Sequence, residues 1–171
     1  GITINRVRGR RGGGTSEGDR RAALARAALD RYRISGDVVV TRKSGHGLEL
    51  SREFVAAGAE RVVAWGGDGT INEVAGPLVR TKTALGIVPA GSGDGIACSL
   101  GLPLATDRAL ELALTGRTGS IDVGFLGARH FLNVGGIGFD AAVGRAFNAR
   151  RKRGGFGYLT GGLSMAFSYR C

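Results

Sequence analysis

Apolar positions along this chain alternate between two spacings, one typical of helices and one typical of buried strands. Helices are predicted at residues 19–32, 48–57, 96–100 and 106–114. Strands are predicted at residues 1–4, 37–42, 62–65 and 84–89, where Val, Ile and Leu dominate. The order of these elements predicts an α/β fold, a three-layer domain with a mostly parallel sheet.

The strand at 62–65 runs directly into a glycine loop, and the rest of the chain is organised around this junction. Gly66, Gly67 and Gly69 permit backbone angles that a Cβ would forbid, so they favour a tight turn. Taken alone, the glycines have two readings: they close a turn, or they allow a ligand to approach the backbone.

A helix start follows the turn. Thr70 and Glu73 have the spacing of a capping box, which predicts a helix from Ile71. Such a helix would point unpaired N–H groups and the positive end of its dipole at the carboxyl end of the strand, where a phosphate could bind. Asp68 favours this second reading, because a carboxylate beside a phosphate needs a metal ion or a transferred proton.

The same plan is repeated further along the chain. The strand at 84–89 leads into a glycine-rich loop at 90–95, which contains Ser92, and then into the short helix at 96–100. Two such loops after neighbouring strands of a parallel sheet would line one crevice. The sequence therefore predicts paired loops at one edge of the sheet.

Composition changes this picture little. The 171 residues suffice for one ordinary domain, and 24 Lys and Arg against 14 Asp and Glu give a net charge of +10. That charge favours phosphates, anionic lipid or nucleic acid, but a GC-rich coding sequence explains the arginines equally well.

Two cysteines indicate a reducing cytosol, and no apolar run reaches the roughly 18 residues of a membrane span. The first residue, which is not Met, and the apolar C-terminal stretch predict that both ends are cut.

Several motifs resemble the diacylglycerol kinase catalytic family, which comprises lipid kinases. The string GGDGT-x-NEV at 66–74 resembles the signature of that family. The second loop resembles its G-[ST]-G-N-x motif, in which Ser92 matches and Asp94 replaces the usual Asn. Residues 121–124 match its I-D-[LV]-G strand, and 131–141 resemble the segment that opens its second domain.

The resemblance implies roles for individual residues. Asp68 would hold the reacting centre through Mg²⁺ or act as a local base, and Asp122 would support it. In the first loop Arg6 and Arg8 replace the Pro and Ser of the family, which puts the shape of that loop in question. The implied nucleotide-binding residues are Asn5, Gly9, Thr41, Gly66, Gly67, Asp68, Gly69, Thr70, Ile71, Asn72 and Ser92.

The resemblance also implies an organisation and an activity. Residues 1–119 would form the nucleotide-binding domain, and 120–171 the start of a truncated, β-rich lipid-binding domain. The activity would be ATP-dependent transfer of the γ-phosphoryl group to a diacylglycerol-like or sphingoid lipid. ATP and Mg²⁺ would be the cofactors. The partner would be a lipid at the membrane surface rather than nucleic acid. A homodimer is also compatible with the resemblance. The protein would be cytoplasmic and peripheral to the membrane.

The chain on its own is expected to be nearly inactive. In the family the catalytic glutamate and a metal site lie in the second domain, beyond what Cys171 leaves room for. Two alternatives stay open at this point. One is an NAD kinase-like enzyme, which shares the GGDGT loop, and the other is a catalytically silent fragment that binds nucleotide.

Overall fold

The computed structural model describes residues 1–4 and 16–134. Asn5, Gly9 and the motif residues from 135 onward lie outside the described residues. The chain divides into two compact units, Gly1–Val123 and Gly124–Cys171, and each is described by itself.

A parallel sheet of four strands forms the centre of the first unit. The order across the sheet is β2 (Val38–Val40), β1 (Ile2–Ile4), β3 (Arg61–Gly66) and β4 (Ala84–Pro89). Ile2 lies opposite Val38 on one side and Val63 on the other, while Gly66 lies opposite Pro89. Because the strands are parallel, their carboxyl ends meet at one edge, which confirms the predicted sheet. We call it the carboxyl edge.

Helices cover both faces of the sheet. They are α1 (Glu17–Tyr32), α2 (His46–Ala56), α3 (Asp68–Ala75), α4 (Gly95–Ser99) and α5 (Thr106–Thr115), with a 3₁₀ helix (Gly76–Leu78) after α3. α1 packs against α5, and α2 packs against α3. The side chains of Val63 and Trp65 pack in one core with residues of α1 and α5. Successive residues of a strand point to opposite faces, so Val62 and Ala64 face the helices on the other side. The three-layer prediction is confirmed, and α3 ends before Pro77 as expected.

The helix ends follow local rules. α1 begins before residue 19, because Ser16 and Asp19 form a capping box: the Ser16 hydroxyl accepts from the Asp19 N–H at 3.2 Å, and the Asp19 carboxylate accepts from the Ser16 N–H at 3.2 Å. α2 ends at Ala56, one residue before the predicted end, and Gly58 follows with φ +75°. The Gly58 N–H donates to the Val55 carbonyl at 3.0 Å, which completes the turn.

Gly58→Ala is expected to lower the free energy of unfolding by about 1 kcal/mol, because a Cβ is strained at positive φ. Urea denaturation measures the change. Gly119→Ala is the control, since a Cβ there would meet open space. Equal stability of the two variants would contradict this account of the α2 end.

The prediction of a strand at 121–124 is wrong for most of its length. β5 (Gly124–Leu126) begins only at Gly124 and pairs antiparallel with β6 (Arg129–Phe131). The register places Phe131 opposite Gly124, and β6 ends there, so residues 121–123 have no partner in this hairpin. Asp122 is exposed and lies outside the strand.

Within the described residues, no helix combines the length and the apolar character needed to cross a lipid bilayer.

Candidate functional site

The first glycine loop is shorter than predicted. β3 ends at Gly66 and α3 begins at Asp68, so Gly67 alone joins them. Gly67 is extended, with φ −82° and ψ 178°, and its carbonyl accepts from the Thr70 N–H at 2.9 Å and the Ile71 N–H at 3.1 Å. Gly67 is therefore the N-cap of α3.

The predicted capping box of Thr70 and Glu73 is wrong, and α3 starts three residues earlier than Ile71. The physical reason is that the chain turns from strand to helix within one residue, which places Thr70 inside the first turn. Its side chain folds back over the strand end, since a Cβ on Gly66 would lie 2.8 Å from the Thr70 Cβ.

This early start changes which amides can reach a ligand. Asp68 and Gly69 occupy the first turn, where helix geometry supplies no acceptor for the N–H groups. The Ile71 N–H donates to the Gly67 carbonyl and the Ile71 side chain is fully buried, while its contact with a phosphate stays a prediction. Asn72 lies one position further into the helix.

The second glycine loop touches the first. A Cβ on Gly91 would lie 2.8 Å from the Gly67 Cα, and one on Gly67 would lie 3.1 Å from the Gly91 Cα. The Ala90 N–H donates to the Gly66 carbonyl at 3.0 Å, which continues the pairing of β3 and β4 past the strand ends. The two loops therefore meet backbone to backbone at the carboxyl edge, with the exposed Ser92 next to the contact.

Asp94 shapes the second loop. Its backbone is left-handed, with φ +46° and ψ 40°, a conformation that Asn and Asp tolerate better than most residues. Its Oδ1 accepts from the Gly91 N–H at 2.7 Å, which closes a four-residue turn. The position thus needs a short side chain with an acceptor oxygen, a requirement that Asp and Asn both meet.

Asp68 links the two loops through its carboxylate. Oδ2 accepts from the Gly95 N–H at 3.0 Å, and Oδ1 accepts from the Ile96 N–H at 2.9 Å. These amides belong to the first turn of α4, 27 and 28 residues away along the chain. Sequence reasoning missed this contact, because nothing in the local spacing indicates it.

Glu73 makes a similar contact on the other side of α3. Its Oε1 accepts from the N–H of Gly45, the N-cap of α2, at 3.3 Å. The loop before α2 also holds Thr41, which is buried directly after β2. At the start of α2, His46 Nδ1 accepts from the Arg42 N–H in that loop at 3.0 Å. The loop after β2 is thus attached to the helix that begins at the central glycine loop.

An arginine on α1 also lies near the carboxyl edge. The guanidinium of Arg21 lies 5.9 Å from the centroid of the Trp65 ring, and its Nε donates to Glu17 at 3.0 Å. A cavity of about 200 Å³ adjoins this pair and reaches Ala90 and Thr106. Arg21 was not singled out in the sequence analysis. The only feature of the sequence that could have indicated it is its place one turn into α1.

A parallel sheet with glycine loops meeting at its carboxyl edge is typical of α/β domains that bind phosphorylated ligands. The chain belongs to the family of diacylglycerol kinase catalytic domains, which matches residues 10–126.

Relatives support the same family. The chain is 41% identical over 154 residues to a protein named probable lipid kinase YegS-like from Chromohalobacter salexigens, with 85% of this chain and 50% of that protein covered. It is 33% identical over 150 residues to a protein of the same name from an Enterobacter species, with 82% and 50% covered. The chain thus spans about half the length of these relatives.

Solved structures confirm the fold. A diacylglycerol kinase from Bacillus anthracis superposes with a TM-score of 0.60 at 22% identity, covering 77% of this chain and 47% of that one. Another kinase chain from the same organism gives 0.62 at 21% identity, covering 77% and 46%. The α/β fold of this chain is therefore shared with about half of each of these kinase chains.

Proposed function

We propose that this protein transfers the γ-phosphoryl group of ATP to a hydroxyl of a diacylglycerol-like or sphingoid lipid. In this proposal it works in the cytoplasm, at the membrane surface, as a peripheral protein. The observation that carries the proposal is the contact between Gly67 and Gly91, because it brings the backbones of the two loops together at the carboxyl edge. Family membership supports the kinase reaction.

The proposed phosphate contacts come from both loops. Asp68 and Gly69 would offer N–H groups at the positive end of the dipole of α3, and Ser92 would offer an exposed hydroxyl. Thr41 would lie beside the nucleotide at the end of β2. Phosphoryl transfer depends mainly on holding the phosphates in place and neutralising their charge, which such groups can do.

The remaining nucleotide contacts stay proposals that rest on the family motif. Thr70 and Asn72 belong to α3, where the side chain of Thr70 packs over Gly66. Asn5 and Gly9 lie outside the described residues. Asp122 is exposed, and only the family motif supports its proposed role.

The described residues fit a magnesium ion that arrives with ATP. None of their His, Cys, Asp and Glu side chains form a group of three or more that could hold a metal alone. Mg²⁺ in kinases commonly uses one or two carboxylates together with substrate phosphates, and Asp68 is the carboxylate that would hold it here. Each carboxylate oxygen of Asp68 accepts one hydrogen bond from an amide. A carboxylate has about four acceptor positions, so two are left for the ion. When bound, the ion would neutralise charge on the phosphates.

A labelling assay with the complete gene product tests the proposal. The protein is incubated with Mg²⁺, ATP labelled at the γ-phosphate and vesicles containing diacylglycerol or a sphingoid base. A parallel reaction contains NAD without lipid. We expect label in a lipid and none in NAD. Transfer to NAD would favour the NAD kinase alternative, and transfer to no acceptor would favour the silent fragment.

Asp94→Asn is expected to raise the affinity for Mg·ATP roughly fivefold, about 1 kcal/mol, because it removes a negative charge near the phosphates. The asparagine oxygen can still accept from the Gly91 N–H, so the loop keeps its shape. Isothermal titration calorimetry measures the change. The control Asp30→Asn removes the same charge from an exposed position near the far end of α1. Weaker binding by Asp94→Asn would count against a phosphate site at this loop.

A further inference from the structure

We infer that Asp68 is a positioning residue, whose carboxylate fixes the second glycine loop against the first turn of α3. The inference rests on the proposed function, because it explains how the proposed phosphate site is held together. It assigns to Asp68 a task distinct from metal binding or proton transfer, and one that is present before any ligand binds.

The contact is specific in its chemistry. Both carboxylate oxygens are used, one by the Gly95 N–H at 3.0 Å and the other by the Ile96 N–H at 2.9 Å. Hydrogen bonds to an ionised acceptor are stronger than those between neutral groups, and these are partly buried from water. Two bonds from one rigid group to adjacent amides fix an orientation as well as a distance.

α4 depends on this contact for its start. The helix has five residues, and its N-cap, Asp94, makes no hydrogen bond from its side chain to the first turn of the helix. The Asp94 carboxylate turns back to the Gly91 N–H instead. Asp68 therefore supplies from another helix the acceptors that an N-cap side chain normally supplies.

The second loop is consequently held at both of its ends. Gly91 is fixed by its approach to Gly67 and by the bond from its N–H to Asp94. Gly95 is fixed by Asp68. Ser92 lies between these points, exposed. The Ser92 hydroxyl therefore lies on a short segment, residues 91–95, and both ends of this segment are held by residues of the two glycine loops.

An aspartate suits this role better than its amide. Both partners are N–H donors, so each needs an acceptor oxygen. Asparagine has one oxygen and one NH₂ group, and the NH₂ would face a donor. Asp68→Asn therefore loses at least one of the two bonds and sets a donor against a donor, with almost no change in size.

Glu73 provides a matched comparison on the opposite side of α3. Its single bond to the Gly45 N–H is longer, at 3.3 Å, and it holds the loop before α2 rather than α4. Glu73→Met, which keeps the length of the side chain but removes the carboxylate acceptor, should loosen that loop and leave α4 unchanged. The two variants therefore test whether each carboxylate acts on its own side.

Amide hydrogen exchange by NMR on the ¹⁵N-labelled, ligand-free protein tests the contact directly. In Asp68→Asn, exchange at Gly95 and Ile96 should accelerate roughly tenfold or more, while Gly45 and core amides such as Val63 keep their rates. Glu73→Met should accelerate Gly45 only, and the exposed control Asp30→Asn should accelerate none of them. Unchanged rates at Gly95 and Ile96, or uniform acceleration that includes Val63, would overturn the inference.

Kinetics of the complete gene product separate positioning from direct chemistry. If Asp68 positions the loop, Asp68→Asn should raise the KM for ATP roughly tenfold, whatever its effect on kcat. A fall in kcat with no rise in the KM for ATP would overturn the inference, because it would show a residue that acts only in the chemistry. If the unmodified protein phosphorylates no lipid, the proposed function fails, but the exchange result still decides whether Asp68 holds the loop.

Discussion

Gly91→Ala is expected to lower the affinity for Mg·ATP by roughly tenfold to a hundredfold while the protein stays folded. The new methyl group would lie 2.8 Å from the Gly67 Cα and 2.8 Å from the Asp94 Oδ1. The first neighbour is backbone, and the second is a side-chain oxygen that the Gly91 N–H holds in place. The loops must therefore separate, and their backbones no longer meet at the carboxyl edge.

Calorimetric titration with Mg·ATP measures this loss, and circular dichroism confirms that the variant is folded. Gly119→Ala makes the same chemical change where a Cβ meets open space, and it should bind like the unmodified protein. If Gly91→Ala bound nucleotide within about threefold of the unmodified protein, less than about 0.7 kcal/mol, contact between the loops would not matter for binding.

Trp65→Ala is expected to lower the free energy of unfolding by about 4 kcal/mol, the largest effect on stability that we predict. The side chain is only 2% exposed and belongs to the core between the sheet, α1 and α5. Its removal leaves a cavity that the surrounding helices can fill only in part, and it also removes the ring beneath the Arg21 guanidinium.

Guanidinium chloride denaturation measures the stability of this variant. Leu104→Ala is a suitable control, because Leu104 is 58% exposed and should lose less than about 1 kcal/mol. A loss below about 1 kcal/mol for Trp65→Ala would show that the core of the first unit does not depend on this residue.

The sheet could be predicted because its signal is local. The apolar run at 84–89 coincides with β4, and the run at 62–65 lies within β3, since buried parallel strands are apolar on both faces. The end of α2 was equally predictable, because Gly58 needs a left-handed conformation that a glycine accepts. Such features depend on a few consecutive residues.

The contacts of the site could not be predicted in the same way. The spacing of Thr70 and Glu73 fits a capping box, yet Glu73 bonds to Gly45, 28 residues away, because α3 begins earlier. The bonds of Asp68 to α4 likewise join distant parts of the chain. The strand predicted around Asp122 failed for a related reason, since a strand requires a partner that propensity alone does not reveal.

The central claim is that both glycine loops hold the same nucleotide. The most direct test is an NMR titration of the complete, ¹⁵N-labelled gene product with Mg·ATP, which follows the amide signals of Gly67 and Ser92. We predict that both signals shift along one saturation curve with a single dissociation constant. Shifts at only one of the two residues, or at neither, would contradict the account.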